Sequence, residues 1–552
     1  MIKTLTAILG LLLTAAATPA LADTLIYNVI GIQVDAGGKL QKFGGLVIDD
    51  NGRVKQLIQR TEDLNRPIEH EVDGGGRTLL PGLIDAHGHV MSLGFGALQL
   101  DLTGTSSLAD LQQRLKTYAA ANPGNGWIQG RGWNQELWAD KRFPTAADLD
   151  AVVNDRPVWL GRVDGHAAVG NSAALRAAAI TTATRSPEGG RIENGLFVDA
   201  AMGLVESKIP PPTAAAYDAA LAKAQELLLA FGLTAAADMG TSPDDWAAMN
   251  RAGQAGRLNV RVLGYAGGIP AMRAINGGKP SGWLYGDRLH LGGVKLYGDG
   301  ALGSRGAWLK APYHDMPQTR GLPLITRAEL DSQTEEAARS GHQLAIHAIG
   351  DAANDLVIGA FERLGSNDRQ RSRIEHVQVL DVADLPRLAK AGIIASMQPT
   401  HQTSDRTMAE ARLGPDRLAG AYAWKTLAKS GARLAFGSDF PVESPNPFPG
   451  LAAAVSRQGL DGQPPGGWRP EERVSFETAL AGFTRGAAYA GFAEDLIGSL
   501  DPGKWADFIL VDRDISEVSA GELGRTEVLE TWVAGKKVWQ RAPSAGAGER
   551  GR

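Results

Sequence analysis

The chain has 552 residues, with 56 basic against 61 acidic, a formal net charge of −5, and no Cys. The missing Cys excludes disulfides, thiolate zinc sites, iron–sulfur clusters and a cysteine nucleophile, and the slight acidity is a poor match to a nucleic-acid binder. With 43% hydrophobic and 21% charged residues, the chain reads as globular, either several domain-sized units or one large barrel with additions.

The first element is a targeting segment. Lys3 supplies a short basic region, Leu5 to Ala17 is apolar, and Ala20-Leu21-Ala22 places small residues at the cleavage-recognition positions. Residues 1–22 are therefore expected to be a cleaved signal peptide, leaving Asp23 first in a periplasmic or secreted protein. The alternative is a membrane anchor. The apolar run falls short of the ~20 residues a span needs, so no stable span is expected after cleavage.

Residues 23–80 read as short strands, Leu25–Val34, Phe43–Asp49, Val54–Leu57 and Thr78–Leu80, with Gly pairs and Asp49-Asp50-Asn51-Gly52 as turns. A matching set lies within 491–541, at Phe508–Val511, Val528–Val533 and Lys537–Trp539. The two ends are expected to pair into one small composite β-sandwich. Between them, over 81–490, strands alternate with helical patterns. The candidate strands are Gly82–Asp85, Leu233–Asp238, Leu258–Leu263, Leu289–Lys295, Gln343–His347, Arg373–His376, Ile393–Met397 and Arg433–Gly437. This order predicts an α/β protein built on a (β/α)8 TIM-like barrel. A large insert, about 104–212, separates the first strand from the second. It carries Trp127, Trp133, Trp138 and Trp159. A core role suffices for some of these, while an insert after a barrel strand also lies at the catalytic face, where it can cover substrate. The Gly/Ala/Ser/Arg-rich tail, 542–552, is expected to be disordered.

The chemistry is concentrated at strand ends. Pro81-Gly82-Leu83-Ile84-Asp85-Ala86-His87-Gly88-His89 places His87 and His89 two apart, so in extended chain both face one way and can reach one ion. Alone, such a pair is weak. However, Lys295, His347, His376 and Asp439 each end another candidate strand. Taken singly, each reads as a satisfied core histidine or a salt-bridged lysine. Taken together, they converge at the mouth of a barrel, where active sites are built. A divalent metal site follows from the set.

The chain resembles the metal-dependent amidohydrolase superfamily, in particular its YtcJ-like branch with the N-substituted formamide deformylases. The motifs that carry the resemblance include the stretch from Pro81 to His89, Arg162 to Ala167 with Asn171 to Leu175, Lys295 to Trp308, Ile346 to Asp351, Glu375-His376, Gly437-Ser438-Asp439, and Gly498 to Asp507. The resemblance implies that His87, His89 and Asp439 bind the more buried ion and that His347 and His376 bind a second. It also implies that Lys295 is carboxylated and bridges both. Zinc is the default metal for such ligands, with one or two ions per chain. Asp439 would take the proton of the attacking water and return it to the leaving amine. His166 would contact the substrate carbonyl, although Asp164-Gly165-His166 also reads as a structural turn. Asp299 and Arg305, in the Gly-rich loop after Lys295, either hold substrate, brace the residues around the metal, or are surface loop charges. Gln129, Gly132 and Trp133 are candidate pocket residues, as is His401 after the seventh strand.

The leading expectation is hydrolysis of a non-peptide C–N bond, an N-substituted amide or formamide, in a small molecule. The alternatives are a mononuclear deaminase or ester hydrolase on the same site, and a non-catalytic periplasmic binding protein. The expected partner is a small-molecule substrate, with no nucleic acid and a homo-oligomer left open.

Overall fold

The structure, a computed structural model, describes residues 23–64, 68–162, 167–187, 190–199, 201–367 and 369–542. The expected leader, 1–22, and all of the expected disordered tail except its first residue lie outside these. No helix among the described residues is long and apolar enough to cross a membrane.

The two chain ends combine as one continuous eight-stranded sheet. Its strands are Thr24–Val34, Leu40–Phe43, Gly45–Ile48, Val54–Ile58, His70–Pro81, Phe508–Val511, Val528–Val533 and Lys536–Gln540. His70–Pro81 joins the ends, pairing parallel with Thr24–Val34 and antiparallel with Phe508–Val511. Hydrogen bonding runs continuously through the strands, with Leu40–Phe43 branching off Thr24–Val34. Side chains alternate across it. Phe508 and Leu510 join Ile26, Leu46 and Trp532 in the sheet's own core, while Ile509 and Val511 enter the barrel core with Ile32 and Val528. Arg261 locks the two bodies together, giving Asp507 two buried bonds, of 2.7 and 2.9 Å.

The central sheet has eight parallel strands in chain order: Leu83–Gly88, Leu233–Thr241, Arg261–Gly267, Leu289–Tyr297, Gln343–Ala348, Arg373–His376, Ile394–Met397 and Arg433–Phe436. The third begins at Arg261 rather than Leu258. The amides of Asn259 and Val260 bond the Gln225 side chain at 2.6 and 3.3 Å instead of a neighbouring strand. Helices Ala214–Ala230 and Arg327–Ser340 form as expected. The second starts on a Thr326/Glu329 capping box and stops at Gly341, whose φ of 89° a side chain would resist.

The barrel seam, between first and eighth strands, is closed just past the eighth strand. His89 N donates to Phe440 O at 2.8 Å and Asp439 N to His87 O at 2.7 Å. Asp85 accepts from the Ser438 amide and hydroxyl across the same junction.

The insert is a body in its own right. It holds a six-stranded sheet from Leu100–Asp101 to Leu196–Asp199. Its core includes Leu111, Trp133, Trp138 and Leu160. Both indoles are satisfied inside it, Trp133 Nε1 donating to Leu160 O and Trp138 Nε1 to Thr105 O.

Candidate metal centre

The barrel mouth holds a cavity of about 310 Å³. His87 reaches it from the last turn of pleat in the first strand, and His89 from the start of helix Val90–Leu98. Lys295, His347 and His376 come from the fourth, fifth and sixth strands. Asp439 follows the eighth. His376 and Asp439 have φ of 78° and 61°, a left-handed conformation that non-glycine residues hold only when their surroundings impose it.

Ligand-capable atoms of His87, His376 and Asp439 all lie within 4.8 Å of one another. Asp439 Oδ1 is 3.1 Å from His89 Nε2 and 3.4 Å from His87 Nε2. Lys295 Nζ is 3.3 Å from His87 Nε2. The His347 and His376 rings lie 4.5 Å apart, and His376 is 4.7 Å from His87.

The tautomers follow from the outer nitrogens. His87 Nδ1–H donates to Glu375 Oε2 at 2.6 Å, and His376 Nδ1–H donates to Gln398 Oε1 at 2.8 Å. Both rings therefore turn an Nε2 lone pair toward the cavity. Glu375 is held in turn by Arg373, itself bonded to Ala86 O and Ser396.

Burial keeps these bases neutral. It drives His87 and His376 well below the usual histidine range, aided by neighbouring cationic groups, and lowers His347 to about 4. It also brings Lys295 down to about 8. Burial alone would raise Asp439, but His87, His89 and His401 hold it at about 2. Neutral imidazoles facing an ionised carboxylate are the protonation states a divalent metal requires. The buried His347 Nε2 forms no hydrogen bond and stands 3.5 Å from Asp299 Oδ1. The donor set thus fits a metal.

His87, His89, Lys295, His347, His376, His401 and Asp439 all line this cavity. Five sequence candidates stand elsewhere. Asp299 is buried behind the wall, accepting the amides of Trp308, Ile349 and Gly350. Burial lifts it to about 7, and its role is to tie the loop to the fifth strand, with Oδ1 3.5 Å from His347 Nε2. Arg305 pairs with Asp315, away from the lining. Trp133 is fully buried in the insert core, because a large apolar ring gains more from that core than from a wet pocket. Gln129 and Gly132 likewise lie in the insert, and among the described residues no insert residue lines the cavity. His166 lies outside the described residues.

Glu375 and Gln398 behind the histidines, and Asp405 and Glu443 in the lining, are not singled out by sequence spacing. Alternation would send Glu375 and His376 to opposite faces, yet both meet His87 because the left-handed turn at His376 breaks the period. A charged residue inside an apolar strand was the available signal.

The amidohydrolase family matches residues 70–539. Protein LONG AFTER FAR-RED 3 of Arabidopsis thaliana is 34% identical, over 85% of this chain and 83% of its own. YtcJ of Bacillus subtilis is 32% identical, over 90% and 95%. The N-substituted formamide deformylase of Arthrobacter pascens is 27% identical, over 95% and 99%. Among solved structures, an uncharacterised metal-dependent hydrolase from Pyrococcus horikoshii superposes with a TM-score of 0.77 at 30% identity, covering 91% of this chain and 99% of that one.

Proposed function

Because the chain belongs to the amidohydrolase family, in its YtcJ-like branch, we propose that this metal-dependent hydrolase cleaves a non-peptide C–N bond in a small N-substituted amide or formamide. The observation that carries the proposal is the convergence of His87, His376 and Asp439 within 4.8 Å at the barrel mouth. The likeness to the Arthrobacter deformylase, 27% over nearly the whole chain, supports the bond type.

His87, His89, His347, His376 and Asp439 would hold the metal, with zinc the natural choice for nitrogen and carboxylate donors. When bound, such an ion lowers the pKa of water and polarises a carbonyl. Asp439 accepts the proton of the attacking water. As the new C–O bond forms and the C–N bond breaks, it delivers that proton to the leaving nitrogen. Glu375 and Gln398 keep His87 and His376 in the tautomers that face the cavity. Lys295, lowered to about 8 by burial, has an amine free enough of protons to add carbon dioxide and release a proton. The resulting carbamate would supply oxygen donors for a second ion, whereas an unmodified Lys295 leaves a mononuclear site. The expected result is two ions per chain by elemental analysis, with formate or another carboxylate released from an amide panel. One ion and full activity in Lys295→Ala would refute the dinuclear form. Loss of neither metal nor turnover in His87→Ala/His89→Ala would refute the site.

Export remains part of this reading. Mass spectrometry of the mature protein should find Asp23 first, and a chain retaining Met1 would contradict it.

A further inference from the structure

Past the metal centre, the cavity is bounded by helix Pro399–Leu413 and the segment after Asp439. Two carboxylates line it there. Asp405 Oδ2 accepts from the Tyr422 hydroxyl at 2.6 Å, and Glu443 Oε1 accepts from Ser404 Oγ at 2.6 Å. Each is thus anchored through one oxygen. Burial pushes the Asp405 pKa up and the Glu443 charge adds to this. Both carboxylates are half-buried, and among the described residues neither has a lysine or arginine ion-pair partner within 4.0 Å.

A second observation points to a ligand. His401 is 8% exposed, and its Nε2 is buried without a hydrogen-bond partner, 3.8 Å from Asp439 Oδ2. Its Nδ1 accepts from the Gln378 amide at 3.1 Å, which leaves the proton on Nε2. An unpaired donor therefore faces the cavity. His401 and Asp405 stand at i and i+4 of one helix, so their side chains share a face roughly 5–6 Å apart. The exposed Val442 and half-exposed Tyr297 flank the opening and offer apolar surface.

We propose that the enzyme's substrates carry a cation on the amine side: a carbonyl oxygen lies at His401 Nε2–H, a short methylene chain passes Val442 and Tyr297, and an ammonium sits between Asp405 and Glu443. This rests on the C–N hydrolase reading for the carbonyl and stands on its own for the cation. A charged hydrogen bond exceeds an apolar contact by enough to give a preference of about tenfold or more.

The test compares N-(4-aminobutyl)formamide with the uncharged N-pentylformamide, using metal-loaded protein. The wild type should favour the cationic substrate about tenfold in kcat/KM, and Asp405→Asn/Glu443→Gln should bring that ratio near one. Glu443→Gln alone, at the better-solvated position, should remove part of the preference and guards against a misfolded double variant. Equal use of both substrates, or an unchanged ratio in both variants, overturns the proposal. So does loss of bound metal in the double variant, which would assign these carboxylates to the metal centre. Calorimetry with 1,4-diaminobutane separates the two readings. Saturable binding that the variants abolish, without hydrolysis of either formamide, keeps the cation subsite and refutes the hydrolase reading. No diamine binding, with both formamides hydrolysed, does the reverse.

Discussion

His87 uses both ring nitrogens. Nδ1–H is committed to Glu375, so Nε2 is a fixed lone pair, and the Arg373 guanidinium keeps Glu375 ionised in a site with no water-facing surface. Glu375→Gln removes the charge that holds this tautomer and should weaken metal affinity about 10–100-fold. A competition titration against a chromogenic chelator would show it, and unchanged affinity would mean that Glu375 only balances Arg373. Asp439→Asn keeps shape but loses the base, and should cut kcat by about 10²–10⁴ with little change in melting temperature. A large fall in melting temperature at unchanged kcat would make Asp439 a seam residue only. Much of this site is legible in sequence because strand-end residues obey period two: His87 with His89, and the single polar residues ending the later strands. Glu375 is not legible, since its neighbour's left-handed backbone cancels the period that would have assigned it. His401 was legible as a pocket residue, but its Asp405 and Glu443 neighbours were not. Their pairing depends on a helix and a loop brought together by the barrel.

At the scale of elements, the eight strands were readable from short apolar runs with Gly-rich ends, and the departures have local causes. Gln225 delays the third strand by capping it from a helix. The indole of Trp133 looks like a pocket residue beside Gly and Asn, yet it is an internal strut of the insert, edge-on to Phe143 at 6.2 Å. Trp133→Ala should therefore destabilise the insert by about 3–5 kcal/mol. Limited proteolysis should show earlier cleavage within the insert at unchanged KM. A raised KM with the wild-type cleavage pattern would instead restore a substrate contact.

For the whole molecule, the Arg261–Asp507 pair joins a barrel strand to the returning C-terminal segment in a fully buried setting. Asp507→Asn leaves the guanidinium without its counter-charge and should cost about 3–5 kcal/mol. A chemical denaturation midpoint equal to wild type would show that water reaches the joint. The pairing of the two chain ends was foreseeable because both read as short strands without helices. The sheet's continuity was not, because His70–Pro81 begins eight residues before its apolar stretch at Thr78. The seam has a consequence in time. A ribosome delivers His87 and His89 well before Asp439, by on the order of tens of seconds. Until Asp439 and Phe440 emerge and bond the His87 and His89 backbones, those histidines belong to no site. The donor set is thus completed only after the eighth strand has been made. A chain that stops before Asp439 lacks both the carboxylate of the donor set and the backbone bonds that close the seam.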